Sequence, residues 1–150
     1  MTVTEYFSSD RQEHWLTQIE KSDWGAGQFL HSLLKEGRLK ALVGEKTRVL
    51  LLTEGEELIS FCTFAEKDDI QPTELTPWIG WAYTFPQYRG HRYLGKLFQY
   101  AEGLAREEGV ERIHISTNHV GLYEKYGYEF LAMMKDIEGS DSRVYVRRLD

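Results

Sequence analysis

One cysteine, three prolines and no long apolar run set the first bounds on this 150-residue chain. A lone Cys62 cannot close an intramolecular disulfide, and its place in Leu-Ile-Ser-Phe-Cys-Thr-Phe predicts a buried small side chain, not a nucleophile. A membrane-spanning helix needs about 20 consecutive apolar residues, and none is present. The opening segment Met-Thr-Val-Thr-Glu-Tyr-Phe-Ser-Ser-Asp has neither the basic start nor the apolar stretch of a secretory leader, so a cytoplasmic address is expected. The histidines at positions 14, 31, 91, 114 and 119 lack the spacing of a metal-ligand set, so no metal is expected. Basic patches interleaved with aromatics are also missing, and the net charge of -6 argues against nucleic acid as a partner.

What the chain does have is aromatic and aliphatic material for a core. Four Trp, nine Tyr and seven Phe exclude a disordered chain, and the length fits one domain over residues 1–150. The charge is uneven. Residues 1–75 carry 8 Lys and Arg against 14 Asp and Glu, whereas residues 76–150 carry 10 against 10. No acid lies between Glu74 and Glu102, a stretch that holds Arg89, Arg92 and Lys96, so an anion is expected there.

Hydrophobic spacing predicts a strand over Thr2–Phe7, then helices over Arg11–Lys21 and from an Asp23 cap to about Glu36. Ser8, Ser9 and Asp10 are the capping candidates for the first helix. Strands follow over Arg48–Leu52 and Glu57–Ala65, joined by a glycine-containing turn, and the second is apolar on both faces. After an acidic loop, Glu66–Asp69, an aromatic strand runs within Pro77–Pro86. Leu94, Leu97, Phe98, Ala101, Leu104 and Ala105 then mark an amphipathic helix closed by Gly109. A strand over Arg112–Ser116, a short helix over Leu122–Tyr126 and strands near Tyr128–Lys135 and Ser142–Arg148 complete the chain. Strand, helix, strand from Trp78 to Ser116 makes a parallel pair, so the expected fold is a mixed α+β sheet of six or seven strands with helices on both faces.

The segment Gln-Tyr-Arg-Gly-His-Arg-Tyr-Leu-Gly-Lys, residues 87–96, leaves a strand and opens a helix that has no Ser, Thr, Asp or Asn at its start. A phosphate can take the place of the absent cap. Two phosphate-binding patterns compete here. Gly90–Lys96 spells the first seven positions of a Walker A loop, but Leu97 stands where Mg²⁺ needs Ser or Thr. Gln87, Arg89, Gly90 and the following Lys-Leu-Phe resemble instead the acyl-CoA signature of the GNAT superfamily of N-acyltransferases. Arg92 stands at that family's second glycine, and Leu94 at its usual glycine or alanine. Gly121-Leu-Tyr-Glu-Lys-Tyr-Gly-Tyr128 is similar to a second GNAT signature, in the right order, and the succession of elements matches along the whole chain.

The resemblance implies two splayed parallel strands with the pantetheine of acetyl-CoA laid between them, bonded by the main chain of Ala82, Tyr83 and Thr84. Arg89, Gly90, His91, Arg92, Tyr93, Leu94 and Gly95 would hold the pyrophosphate, with Asn118 as a further cofactor contact. Tyr123 matches the family tyrosine that protonates the leaving thiolate, and His114 sits near where some relatives carry a glutamate base. Trp24, Trp81 and Asp68 are the residues expected around the acceptor, a small-molecule or protein amine, since aromatic faces and acids suit a cation. Without the two family glycines a non-catalytic acyl-CoA-binding module is the alternative. Family members often pair through sheet edges, so a homodimer is the oligomer the resemblance suggests.

Overall fold

The computed structural model describes residues 1–150. A seven-stranded mixed sheet runs through it in the order β1 (Thr2–Glu5), β2 (Arg48–Glu54), β3 (Glu57–Ala65), β4 (Trp78–Thr84), β5 (Arg112–Thr117), β7 (Asp141–Arg148) and β6 (Glu129–Lys135). Every neighbouring pair is antiparallel except β4 and β5, which are parallel and joined by the helix α4 (Leu94–Glu107). The helices α1 (Gln12–Glu20), α2 (Gly25–Lys35) and α3 (Leu39–Val43) cover the other face. This is the mixed α+β sheet expected from the sequence, with helices on both faces. No helix is long and apolar enough to cross a membrane.

Burial explains the layering. All of β3 from Leu58 to Ala65 is buried, and alternate residues feed two cores. Phe61 points with Tyr83 and Phe85 toward α1 and α2, whereas Cys62 and Phe64 point toward Leu97, Phe98 and Ala101 of α4. Three of the sequence expectations shift by local chemistry. The first strand ends at Glu5, because Tyr6 turns into the core through a 3₁₀ turn, Tyr6–Ser8. Asp23 does not cap α2, whose N-cap is Trp24 without a side-chain bond; the Asp23 carboxylate instead accepts the Tyr83 hydroxyl. Likewise α1 starts from Arg11, whose N–H donates to Ser9 Oγ at 3.0 Å. The five residues of α3 are too few to show a helical period and were not anticipated. Tyr123–Tyr126 forms a 3₁₀ helix.

Candidate active site

The site begins with a fault in β4. Phe61 opposes Tyr83 and Thr63 opposes Gly80, so Trp81 and Ala82 both face the single residue Cys62 on β3. Trp81 absorbs the extra residue with φ +46°, a left-handed conformation that bulky side chains avoid. It is held there from α2, since its indole Nε1 donates to the Ala26 carbonyl at 2.8 Å and its ring lies 6.2 Å from that of Phe29. Pairing of β4 with β5 covers only Trp78↔His114 and Ile79↔Ile115. Beyond these the two strands part, and a cavity of about 570 Å³ opens between them.

That cavity brings together Trp24, Trp81, Asp68, Ala82, Asn118 and Tyr123 from the expected set. Tyr123 is buried, its ring 6.1 Å from Phe98 and 6.5 Å from Tyr128, and burial pushes its phenol up to about 12. It therefore keeps its proton throughout the neutral range. Trp24 stacks on Tyr83 at 5.5 Å with 6° between the rings, which fixes the indole at the mouth of α2.

The three β4 residues divide. Phe85 donates to Ile59 at 3.1 Å across to β3, so by strand alternation the main chain of Tyr83 also faces β3, and its carbonyl accepts the Ser60 hydroxyl at 2.7 Å. Ala82 and Thr84 turn their main chain toward the gap. The Tyr83 side chain is buried with Phe61 and Phe85, and its hydroxyl is bound to Asp23.

Past Pro86 the chain forms the turn that leads into α4. The amide N–H groups of Gly90, His91, Arg92, Tyr93 and Leu94 donate to no protein acceptor, and α4 has no side-chain cap. Five adjacent unpaired donors with Arg92 and Lys96 beside them fit a pyrophosphate. Gly90 at φ +89° and Arg92 at φ +56° aim these amides. Arg92 thus adopts the left-handed backbone region that favours glycine. Arg89 does not reach into this turn; its Nε donates to the Thr84 carbonyl at 2.9 Å and its guanidinium lies 5.4 Å from the Tyr83 ring. His91 stacks on Tyr93 at 5.1 Å, and Gly95 abuts the Tyr126 ring.

A left-handed residue other than glycine costs roughly 1 kcal/mol. Arg92→Gly is therefore expected to be about 1 kcal/mol more stable than Arg92→Ala in urea unfolding. Both variants lose the charge, so affinity for CoA lost by both measures the guanidinium, and any difference between them measures the loop geometry. Equal stability of the two would show that the loop relaxes freely.

His114 stands apart from the cavity. Strand alternation sends Ile113 and Ile115 to the α4 side and His114 to the opposite face, buried 5.3 Å from the Trp78 ring. Its Nδ1 lies 3.1 Å from the Pro77 carbonyl, and burial lowers its pKa, so it is neutral near pH 7. It pairs with Trp78 before the strands part and does not line the cavity, so it is not placed to serve as the base.

Asp69 of the same acidic loop joins Asp68 at the wall, as the sequence suggests. Asp136 and Glu138, which the sequence does not point to, join them, while no lysine or arginine lines the cavity. Asp136 and Glu138 arrive from the turn between β6 and β7, where Ile137 N–H donates to the Asp69 carbonyl at 2.8 Å. That pairing of residues far apart in sequence leaves no local signal. No group of three His, Cys, Asp or Glu side chains is placed to hold a metal ion.

Comparison with known proteins agrees with this fold. No curated protein matches the sequence. Among solved structures, an aminoglycoside 6′-acetyltransferase type Ii superposes with a TM-score of 0.71 at 14% identity, covering 99% of this chain and 97% of that one. An acetyltransferase from Streptococcus agalactiae gives 0.65 at 20% identity over 99% and 98%. An aminoglycoside 6′-N-acetyltransferase complexed with coenzyme A gives 0.65 at 11% identity over 99% and 97%. The model of the acetyltransferase (GNAT) family matches residues 4–128, from the first strand through the turn that carries Tyr123, and so this chain belongs to that family, whose acyl donor is acetyl-CoA.

Proposed function

We propose that the protein is an N-acetyltransferase that moves the acetyl group of acetyl-CoA directly to a primary amine of a small molecule or of another protein. The observation that carries this reading is the lining of the cavity between β4 and β5. It joins one protonated phenol, Tyr123, to four carboxyl groups with no lysine or arginine among them. Such a lining attracts a cation, and the faces of Trp24, Phe29 and Trp81 add to that attraction for an ammonium group. Two of the compared structures are named as aminoglycoside 6′-acetyltransferases, which puts amino sugars among the acceptors worth testing.

The donor side follows from the main chain. Ala82 and the Thr84 N–H offer strand groups to which the pantetheine amides can add as an extra strand, the Thr84 carbonyl being engaged by Arg89. Gly90–Leu94 supply the amides for the pyrophosphate, with Arg92 and Lys96 adding charge. The coenzyme supplies an acyl group activated as a thioester. Tyr123 holds the proton that the departing thiolate requires, and burial keeps that proton in place until the thiolate forms. Arg92 retains a glycine-like backbone, which favours a working loop over an acyl-CoA-binding module without turnover.

Thermal unfolding with acetyl-CoA, CoA, or ATP plus Mg²⁺ tests the donor. At about 100 times its dissociation constant a ligand adds about 2.7 kcal/mol, so a raised midpoint is expected with the two coenzyme forms and none with ATP. Release of CoA thiol across a panel of amines tests the transfer. Stabilisation by acetyl-CoA with no thiol release for any amine would turn the reading to a binding module, and stabilisation by ATP alone would restore the Walker pattern.

A further inference from the structure

The carboxyl groups at the cavity wall form a more specific device than a general attraction for cations. Asp68 lies directly over Gly80 of β4, one residue beyond the last β4–β5 pair. A Cβ built at Gly80 would fall 1.9 Å from Asp68 Oδ1, so only the absence of a side chain admits the carboxyl to that spot. Asp69 lies beside it, and its Oδ1 is buried with no conventional hydrogen-bond partner. The side chains beside it are the Ser116 hydroxyl and the Asp68 carboxyl, and a hydrogen bond between the two carboxyls places a proton between them.

The backbone around the pair is fixed. Gln71 Nε2 donates to the Asp68 carbonyl at 2.7 Å, Ile137 N–H to the Asp69 carbonyl at 2.8 Å, and Lys67 N–H to the Val43 carbonyl at 3.0 Å. The other titratable groups facing the cavity are Asp136 and Glu138 from the β6–β7 turn, His119 after β5, and Tyr123. From β4 and from α2 and α3 only uncharged residues face it. Burial, then the charge of the neighbouring carboxyl, raises Asp68 well above the usual carboxylate range, and burial raises Asp69 too. Two carboxyls this close cannot both ionise in such surroundings.

We propose that Asp68, paired with Asp69 over Gly80, is the group that takes the proton from the acceptor's ammonium. This assignment rests on the N-acetyltransferase reading. In its ionised form Asp68 takes one proton from the ammonium, which becomes a neutral nucleophile. The nitrogen lone pair forms the new C–N bond to the acetyl carbon while the C–S bond breaks. The thiolate takes the Tyr123 proton, and the second proton leaving nitrogen restores Tyr123. Asp68 returns its proton to solvent. The net products are amide, CoA thiol and one proton.

Carbon-13 NMR of the full chain labelled at aspartate, titrated from about pH 5 to pH 10, reads the pair without turnover. One carboxyl is expected to titrate above about pH 6; it disappears in Asp68→Asn and moves down in Asp69→Asn. No carboxyl titrating above about pH 6 would overturn the proposal. The second readout compares benzylamine, protonated near pH 7, with aniline, which is already neutral there. Asp68→Asn is expected to slow transfer to benzylamine by about 100-fold or more and transfer to aniline by only a few-fold. Gly80→Ala, which pushes the carboxyl off β4 without altering it, should show the same split. Equal losses with both amines would overturn the base assignment alone. A wild-type chain that binds acetyl-CoA but transfers to neither amine would sink the assignment together with the acceptor reading.

Discussion

Tyr123→Phe is expected to lower the rate of acetyl transfer by about 100-fold and to leave the unfolding midpoint nearly unchanged. The reasoning separates the ring from the hydroxyl. The ring fills space against Phe98 and Tyr128 inside the α4-side core, and phenylalanine fills the same space. The hydroxyl is the part that reaches the cavity, and its raised pKa keeps the proton there near neutrality. Removing it strips the leaving thiolate of its proton donor and leaves the binding surface for the coenzyme intact. The loss should therefore appear in kcat, with KM for acetyl-CoA within a few-fold of the wild-type value. A variant with full kcat would reduce Tyr123 to a packing residue.

The second large effect is structural. Phe98→Ala is expected to destabilise the fold by about 3–5 kcal/mol, because a fully packed aromatic is replaced by a cavity. At the size of this chain that corresponds to a midpoint lower by roughly 10 °C. Phe98 stands at the centre of an aromatic cluster. Tyr126 meets it edge-on at 5.0 Å, Tyr128 lies at 6.0 Å and Tyr123 at 6.1 Å. Its loss removes the surface on which the 3₁₀ helix of Tyr123 rests, so kcat should fall as well as stability. Phe98→Leu, which refills most of the volume, should recover the larger part of both. Urea unfolding and thiol-release kinetics on the two variants check this, and a loss below 1 kcal/mol would show that the cluster collapses around the gap.

How far the sequence reveals this molecule depends on the range of the interaction that creates each feature. The period of Leu97, Phe98, Ala101 and Ala105 sits within one helix, and the burial of β3 sits within one strand, so both are visible as local patterns. The turn at Gly90–Leu94 is likewise local, and its missing cap can be read from composition. The bulge at Trp81 is different. It depends on how β4 registers against β3 and on an anchor from Ala26, and neither leaves a mark in Trp-Ile-Gly-Trp-Ala-Tyr-Thr. The same holds for Asp136 and Glu138, which meet Asp69 only because the β6–β7 turn folds back over the loop after β3. Alternation along β5 was readable in Arg-Ile-His-Ile-Ser. How far along β5 the gap begins was not, and His114, paired with Trp78, falls short of the cavity that Ile115 and Ser116 line.

The bulge also seals the only thiol of the chain. Cys62 sits opposite Trp81 and Ala82 with no exposed surface, and burial pushes its thiol far above the range in which a thiolate forms. A chromogenic disulfide reagent therefore finds nothing to react with in the native protein. In a turnover assay the colour counts only coenzyme released, with no background from the enzyme. In denaturant the same reagent counts one sulfur per chain as the sheet opens. One reagent thus reads both catalysis and unfolding, with no labelling site to engineer.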